Sequence, residues 1–486
     1  MRQESATEAV RLVLKELDEG ASHPPGRPPD ITQIFAPSEH GAALDPERTL
    51  VMGNRGVGKT FWSTALVDKA TRAHIAQFPV YKRLRLDNVE AAIGFDGSYS
   101  SVIAPSRDVI EDCEKAGAQP RKIWEAVLLR YLAPRINRST PTLLKDTVIW
   151  LQENVEEGER ILREIDSYFS TQGKRFLLVF DALDTLGANW AELRPRLKGL
   201  LEFARLTKGM RAIRTKLFLR VDQGQDRELW NSPDLSKLFN ERVRLYWTQY
   251  ALYELLFFHL HQKAENDFRT LAGASWIPRY WSDSEHRAVF TKIAGAYMGG
   301  GAKRGNTYDW LTNHLADADE ETTPRAFLVT LKAAAEHHPA SRPNVIDHLD
   351  IQVGVVNASE GRVKELEEDY WWIRTAFEPL EGISVPCLPE DFDTRWRDAG
   401  TANKIRNRAS GENRLTPLAF DSGVNDLITD SSQASLEERL RWSLDVIGVL
   451  EQRKNGRINV PDIFRVAARI RRRGGVKPPP RARHVA

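Results

Sequence analysis

Cysteine is nearly absent from this chain: Cys113 and Cys387 are the only two in 486 residues, with no Cys-x-x-Cys or Cys/His ligand spacing around them. That excludes a disulfide framework and a cysteine-built zinc site, and it fits a reducing compartment. Neither His259 with His261 nor His337 with His338 has helix-face ligand spacing, so no metal is assigned to them. A long apolar run is missing too. The most apolar later stretch, Leu252 to Leu260, is broken by Glu254 and His259 and falls far short of the roughly 20 residues that span a bilayer, so no membrane partner is expected. Residues Met1 to Leu17 alternate charged and apolar groups as an amphipathic helix does and lack a secretory apolar core, which makes the cytoplasm the expected location. Charge of one sign is also lacking. A net charge of +2 excludes a globally basic nucleic-acid binder and leaves only a local patch. No repeat of fixed period occurs, which argues against a solenoid or propeller.

What is present is local and specific. Gly53-Asn54-Arg55-Gly56-Val57-Gly58-Lys59-Thr60 has the spacing G-x-x-x-x-G-K-[ST] and follows the apolar run Leu50-Val51-Met52. In such a loop the glycines let the backbone curl until several N–H groups face phosphate oxygens, the Lys59 ammonium reaches the β and γ phosphates, and the Thr60 hydroxyl ligates Mg²⁺. A helix expected from about Thr60 to Ala73 adds its positive dipole end beneath the same phosphates. The implied ligand is a nucleoside triphosphate with Mg²⁺, and ATP is favoured over GTP because no Asn-Lys-x-Asp guanine motif occurs.

Length allows roughly two to four domains. Linker prolines at Pro24, Pro25, Pro28 and Pro29 precede a core starting near Ile31. From there short extended runs alternate with helical patterns. Strands are expected at Thr49–Met52, Val80–Leu86, Phe176–Phe180, Lys216–Val221 and Val243–Trp247. Helices are expected at Arg121–Leu132, Leu143–Asn154, Gly158–Ser170 and Trp190–Thr207. The alternation predicts an α/β fold, a P-loop NTPase parallel sheet core. Beyond Trp247 the patterns turn helical, at Tyr250–Gln262, Ser284–Tyr297 and a segment entered at Thr323-Pro324, and predict a helical lid. Polar residues Thr401–Arg414 read as a connection. Near the end, Leu436–Ile447 repeats at helical spacing, Asn455-Gly456 sits between two short extended runs as in a hairpin, and a helix is expected at Pro461–Ile470. These predict a C-terminal winged-helix-like α+β module. The expected divisions are 1–30 as N-terminal helix and linker, 31–250 as P-loop core, 251–340 as lid, 341–430 as connecting region, and 431–486 as the winged-helix-like module with a basic tail.

Hydrolysis needs more than phosphate binding. Phe176-Leu177-Leu178-Val179-Phe180 ends in Asp181, and a buried parallel strand delivers such a carboxylate to the ligand edge of the sheet, where it would hold Mg²⁺. Asp184, three residues on, would orient or deprotonate the attacking water, or else cap a helix. The interval between Lys59 and Asp181 leaves space for a further strand, as in additional-strand P-loop ATPases. Lys216-Leu217-Phe218-Leu219 then ends in Arg220, placed to pair with a γ-phosphate, or else with Asp222 or Asp184. In the expected lid, Thr323 and Pro324 start a helix with Arg325 in its first turn, where a cation opposes the dipole, so an anionic partner is sought; the local reading is an ion pair with Glu320 or Glu321, or else a solvated arginine.

Phe180-Asp181-Ala182-Leu183-Asp184 resembles the acidic motif of the STAND branch of AAA-like ATPases, whose NACHT members carry Asp-Gly-Leu-Asp-Glu, and Arg220 resembles the arginine ending their sensor strand. The resemblance covers about Ile31 to His261. Thr185 stands where NACHT proteins have Glu, which implies slow hydrolysis. The resemblance implies a nucleotide-controlled switch whose ATP and ADP forms differ in lid position, acting through homo-oligomer assembly or a protein effector partner, as in bacterial phage defence; Arg220 and Arg325 would couple phosphate to lid. The competing reading is a nucleic-acid-associated AAA-like ATPase of the replication-initiator or transposition-regulator kind. For it, Arg453, Lys454, Arg457, Arg469, Arg471, Arg472, Arg473, Lys477, Arg481 and Arg483 would grip DNA phosphates.

Overall fold

The computed structural model describes residues 2–17, 27–98, 103–339, 342–421, 434–473 and 476–478. Pro24 and Pro25 of the expected linker and Arg481 and Arg483 of the expected tail lie outside them. The chain divides into two compact units. A sheet unit comprises His23–Leu245 with Arg408–Ser432, and a helical unit comprises Met1–Ser22, Tyr246–Asn407 and Gln433–Ala486.

The sheet unit is α/β. Its strands are β1 (Leu50–Met52), β2 (Val89–Phe95), β3 (Arg175–Phe180), β4 (Ile213–Leu219) and β5 (Val243–Arg244), paired in parallel in the order β2-β3-β4-β1-β5. Phe176 to Phe180 and Leu217 to Leu219 are all buried, as continuous apolar strands must be when helices cover both faces. Helices Pro120–Leu132, Leu144–Glu153, Val155–Thr171 and Trp190–Lys208 lie close to their expected positions. One strand, β4, separates the loop-bearing β1 from the acid-bearing β3. This is the additional-strand order, and the core has the P-loop NTPase architecture.

One expected strand is wrong. Val80–Leu86 forms no strand: Lys82–Leu84 and Leu86–Asn88 are 3-10 turns joined through Arg85 at φ 51°, and the sheet takes Val89–Phe95 instead. The alternation in Val80–Leu86 reflects Tyr81, Leu84 and Leu86 burying themselves from turns. Strand β2 escapes detection because Ala91, Ala92 and Gly94 are poor strand formers. Packing explains the glycine. A Cβ at Gly94 would sit 2.4 Å from Phe180 Cζ, and that buried ring is held edge-on by Trp124 at 5.4 Å. Gly94→Val is therefore expected to destabilise the protein by about 1–3 kcal/mol. A lowered urea midpoint at unchanged slope would show it; an unchanged midpoint would refute the packing argument.

The helical unit starts with Arg2–Lys15, whose Arg11 Nε donates to the Val345 carbonyl at 2.9 Å, so this first helix packs within the unit. Gln249–Ala272, Asp283–Ala294, Thr307–Leu315 and Pro324–His337 are helices, in the region expected to be helical. Their shared core is aromatic: Tyr253 stacks on Tyr308 at 4.0 Å and meets Phe290 and Phe327 edge-on. The long helix His348–Asp369 follows.

The C-terminal part is winged-helix-like. Strands β7 (Glu451–Gln452) and β8 (Ile458–Asn459) pair antiparallel around Gly456 at φ 77°, and Cys387 bridges to Ile458 on the other side of β8. Strand β6 (Ser384–Val385) pairs in parallel with β9 (Arg471–Arg472). Two expectations are corrected here. Thr401–Arg414 is not a loose connection, since Thr401–Glu412 is helical. The expected helix Pro461–Ile470 is helical only over Asp462–Arg465, and the chain turns through Arg469 at φ 54° to enter β9.

Candidate functional site

At the carboxyl edge of the sheet, β1 runs directly into the loop Gly53–Gly58 and then into the helix Lys59–Val67. The turn requires its glycines: Gly56 has φ 82° and Gly58, the helix N-cap, φ 104°. Gly53 is required for space, since a Cβ there would lie 2.8 Å from Val57 Cγ2 and 3.1 Å from the Leu245 carbonyl oxygen. Asn54 and Arg55 fill the curl between them, with Asn54 buried. The Lys59 ammonium folds back over the loop and donates to the carbonyls of Gly53 at 2.7 Å and Asn54 at 3.0 Å.

Asp181 ends β3 beneath this loop, and its backbone N–H donates to the Phe95 carbonyl of β2 at 2.8 Å. Its side chain is only 4% exposed. Burial pushes its carboxyl up; the Thr60 hydroxyl, the Ala182 N–H, the Lys59 charge and the Ser63 hydroxyl all pull it back down. Ser63 Oγ donates to Asp181 Oδ2 at 3.0 Å. Lys59, Thr60 and Asp181 thus converge, and the oxygen donors of Thr60 and Asp181 suit a hard cation such as Mg²⁺.

Ala182, at φ 52°, turns the chain into Leu183–Leu186. Thr185, where the STAND resemblance has Glu, donates its hydroxyl to the Ala182 carbonyl at 2.7 Å. Asp184 Oδ2 meets Arg220 Nη1 at 3.3 Å. Arg220 follows β4 and also forks onto Asp222, Nε to Oδ1 at 3.1 Å and Nη2 to Oδ2 at 2.7 Å. Lys216, four residues earlier on β4, donates to the carbonyls of Ala43, Asp45 and Arg48 at 2.7, 2.9 and 2.8 Å, tying the segment before β1 to the strand that presents Arg220.

The sheet unit therefore brings Gly53–Thr60, Asp181, Asp184 and Arg220 together. Arg325 belongs to the helical unit, where Thr323 caps its helix and the Arg325 Nη1 donates to Glu365 Oε1 at 2.9 Å. Glu365, on a different helix, is a partner beyond any local pattern. Sequence reasoning missed Ser63, which lies three residues past Thr60 and so shares its helix face, a signal that was available. Gln223 was missed as well: its Oε1 accepts from the Arg220 N–H, while its buried Nε2 has no partner among the described residues.

Elsewhere His338, Asp347 and Asp350 come close enough to suggest a metal site. Their oxygens are already engaged: Asp347 caps the helix His348–Asp369, and Asp350 accepts from the Asp347 N–H and from His337 and His338 Nδ1. This cluster is a helix-start latch. Among the described residues no helix is long and apolar enough to cross a membrane.

No protein-family profile matches the chain, and no curated protein matches it. Among solved structures the chain is similar to the Aeropyrum pernix ORC2 protein, described as ADPNP–ADP complexes, with 14% identity and a TM-score of 0.37 over 88% of this chain and 89% of that one.

Proposed function

We propose that this chain is an ATP-binding, slowly ATP-hydrolysing switch of the additional-strand P-loop class, of STAND type. The observation that carries the reading is the convergence of Lys59, Thr60 and buried Asp181 beneath a loop curled by Gly56 and Gly58. Residues Gly53–Thr60 would cradle the phosphates, and Thr60 and Asp181 would hold Mg²⁺, which supplies charge neutralisation of the triphosphate when bound. Asp184 would orient the attacking water. Its contact with Arg220 holds its carboxylate in place for that task, while Thr185, occupied within its own turn, offers no second base; slow turnover follows. Arg220 would exchange an Asp184 contact for the γ-phosphate and so distinguish ATP from ADP.

The output would be homo-oligomer assembly or binding of a protein effector. Light scattering of the full chain with ADP and with a non-hydrolysable ATP analogue tests this. The expected result is a larger particle, or a tighter partner complex, with the analogue alone. Identical sizes and identical partner binding with both nucleotides would sink it.

A second reading has a specific observation behind it. The arrangement Cys387–β8–β7 is that of a winged helix, and its hairpin tip exposes Lys454 and Arg457. DNA would be gripped there through its phosphates. Filter binding at 50 and 200 mM salt (about the range over which such contacts fade) should then show a steep loss of affinity. No DNA retention at low salt with ATP would remove this reading.

A further inference from the structure

The helices Asp283–Ala294 and Thr307–Leu315 are joined by a glycine hairpin that the proposed ATP chemistry does not use. Tyr297 and Asn306 bridge antiparallel at its base, the Met298 N–H donates to the Gly305 carbonyl at 2.9 Å, and the Met298 side chain is buried. The tip beyond them reads Gly299-Gly300-Gly301-Ala302-Lys303-Arg304, and no acid occurs anywhere from Gly295 to Asn306. Lys303 and Arg304 are exposed and make no ion pair among the described residues. Packing explains Gly299, at φ 137°, where a Cβ would lie 3.4 Å from Arg304 Cγ; at Gly300 and Gly301 a Cβ would meet nothing within 4 Å. The N–H groups of Gly300, Gly301, Ala302 and Lys303 have no acceptor among the described residues. Bare main-chain donors beside two unpaired cations, on a tip with almost no side chain to hold a ligand off, suit phosphate oxygens.

A second basic site adjoins this tip through one face of the helix Thr307–Leu315. A Cβ at Gly305 would lie 3.6 Å from Trp310 Cδ1, the Trp310 ring stacks on His314 at 3.7 Å, and His314 Nε2 lies 3.8 Å from Asp462 Oδ2. Asp462 Oδ1 in turn accepts from Arg472 Nη1 of β9 at 3.2 Å. On either side of Arg472, Arg471 and Arg473 are exposed and make no ion pair among the described residues. Trp310 and His314 alone account for a helical turn, about 5.4 Å of rise, so the two basic sites stand further apart than one free phosphate can reach. A polymer of regularly spaced phosphates can engage both. From β9 the basic surface continues through β6 to the hairpin of β7 and β8, where Arg457 Nη1 donates to the Pro386 carbonyl at 3.3 Å. All of these residues belong to the helical unit.

We propose that the hairpin tip Gly299–Arg304 is a DNA-backbone contact, separate from the winged-helix hairpin, that grips phosphates through Lys303, Arg304 and its own main chain while β9 engages a neighbouring part of the same strand. The inference takes its ligand from the winged-helix reading but not its site. Contacts of this kind read no bases, so affinity should not depend on sequence.

Fluorescence anisotropy with two duplex DNAs of unrelated sequence tests it on the full chain, with Mg²⁺ and a non-hydrolysable ATP analogue, across a salt series. Replacing Lys303 and Arg304 together by alanine is expected to weaken both duplexes equally, by about tenfold at low salt, and to flatten the slope of log affinity against log salt by about two, one for each lost phosphate contact. Gly300→Glu, which has room for its side chain, sets a carboxylate at the tip and should lose at least as much affinity. Affinity for the ATP analogue should be unchanged in both variants. The paired change Lys454→Ala with Arg457→Ala separates the two sites. If that pair weakens DNA binding and the hairpin variants do not, the hairpin proposal is overturned and the winged-helix reading stands. If only the hairpin variants weaken it, the proposal holds and the winged helix is not the site. A wild-type chain that binds neither duplex at low salt overturns both, and one that binds polyglutamate as tightly as DNA of equal charge makes the tip a contact for an acidic protein instead.

Discussion

Lys59→Ala is expected to lower nucleotide affinity by at least about a hundredfold for ADP and ATP alike. Its ammonium supplies charge-assisted hydrogen bonds to the phosphates, each worth roughly 1.5–3 kcal/mol where water is excluded, so losing two of them reaches that scale. The geometry sharpens the expectation. The ammonium is held over the loop by the Gly53 and Asn54 carbonyls, so it is ordered near where phosphate oxygens would arrive. Binding then costs little side-chain entropy, and the alanine variant loses a prepaid contact. Lys59→Arg should not restore affinity, because a planar fork cannot occupy the place of a compact ammonium inside the curl. Calorimetry with ADP and with a non-hydrolysable ATP analogue provides the check. Binding within threefold of wild type in the alanine variant would mean that this loop is not the phosphate site.

How much of this could be read from the sequence depended on how local each cause was. The loop was legible because its glycines, lysine and threonine act within eight residues of one another, where spacing alone fixes their relations. Strand β3 was legible because its unbroken apolar run has no other stable place than between covered faces. Strand β2 was not, because Gly94 answers to the Phe180 ring, which is 86 residues away in sequence (Phe180 minus Gly94) and adjacent only in the folded sheet. The two-residue strands β6 and β9 carry no periodicity at all; they are defined by each other. The same division runs through the candidate site. Asp181 announced itself as the acid ending a strand, and Arg220 as the cation ending the next. Ser63, Gln223 and Glu365 did not, since each matters through one partner reached by folding. Arg325 shows the middle case. Its helix start was readable from Thr323 and Pro324, but its contact with Glu365, 40 residues on, was not.

Asp181→Asn separates the cost of building this site from its use, and its two expected effects have opposite signs. Burial raises the Asp181 carboxyl above its usual value of 3.8 despite the hydroxyls of Thr60 and Ser63 and the charge of Lys59. A carboxyl raised in the folded state contributes its full stability below the unfolded value, near pH 4, and loses it as pH rises through the folded value. Above the folded value the carboxylate charge is therefore a net burden on the fold. The amide removes that charge while its oxygen still accepts from Ser63, so the melting temperature should rise by roughly 2–4 °C, the shift that about 1 kcal/mol produces in a domain of this size. Function should move the other way. The amide is a poor ligand for a hard divalent cation, so the gain in ATP-analogue affinity on adding Mg²⁺ should fall at least about tenfold, and hydrolysis should fall by about a hundredfold or more. Asp184→Asn, by contrast, should slow hydrolysis while leaving the Mg²⁺-dependent affinity intact, because Asp184 pairs with Arg220 rather than with Thr60. Thermal melts and Mg²⁺ titrations of the same two preparations decide the matter. An Asp181→Asn protein that is more stable yet keeps its Mg²⁺ dependence would leave Asp181 a buried liability with no metal to hold, and the carboxylate that serves the cation would have to be sought elsewhere along this sheet edge.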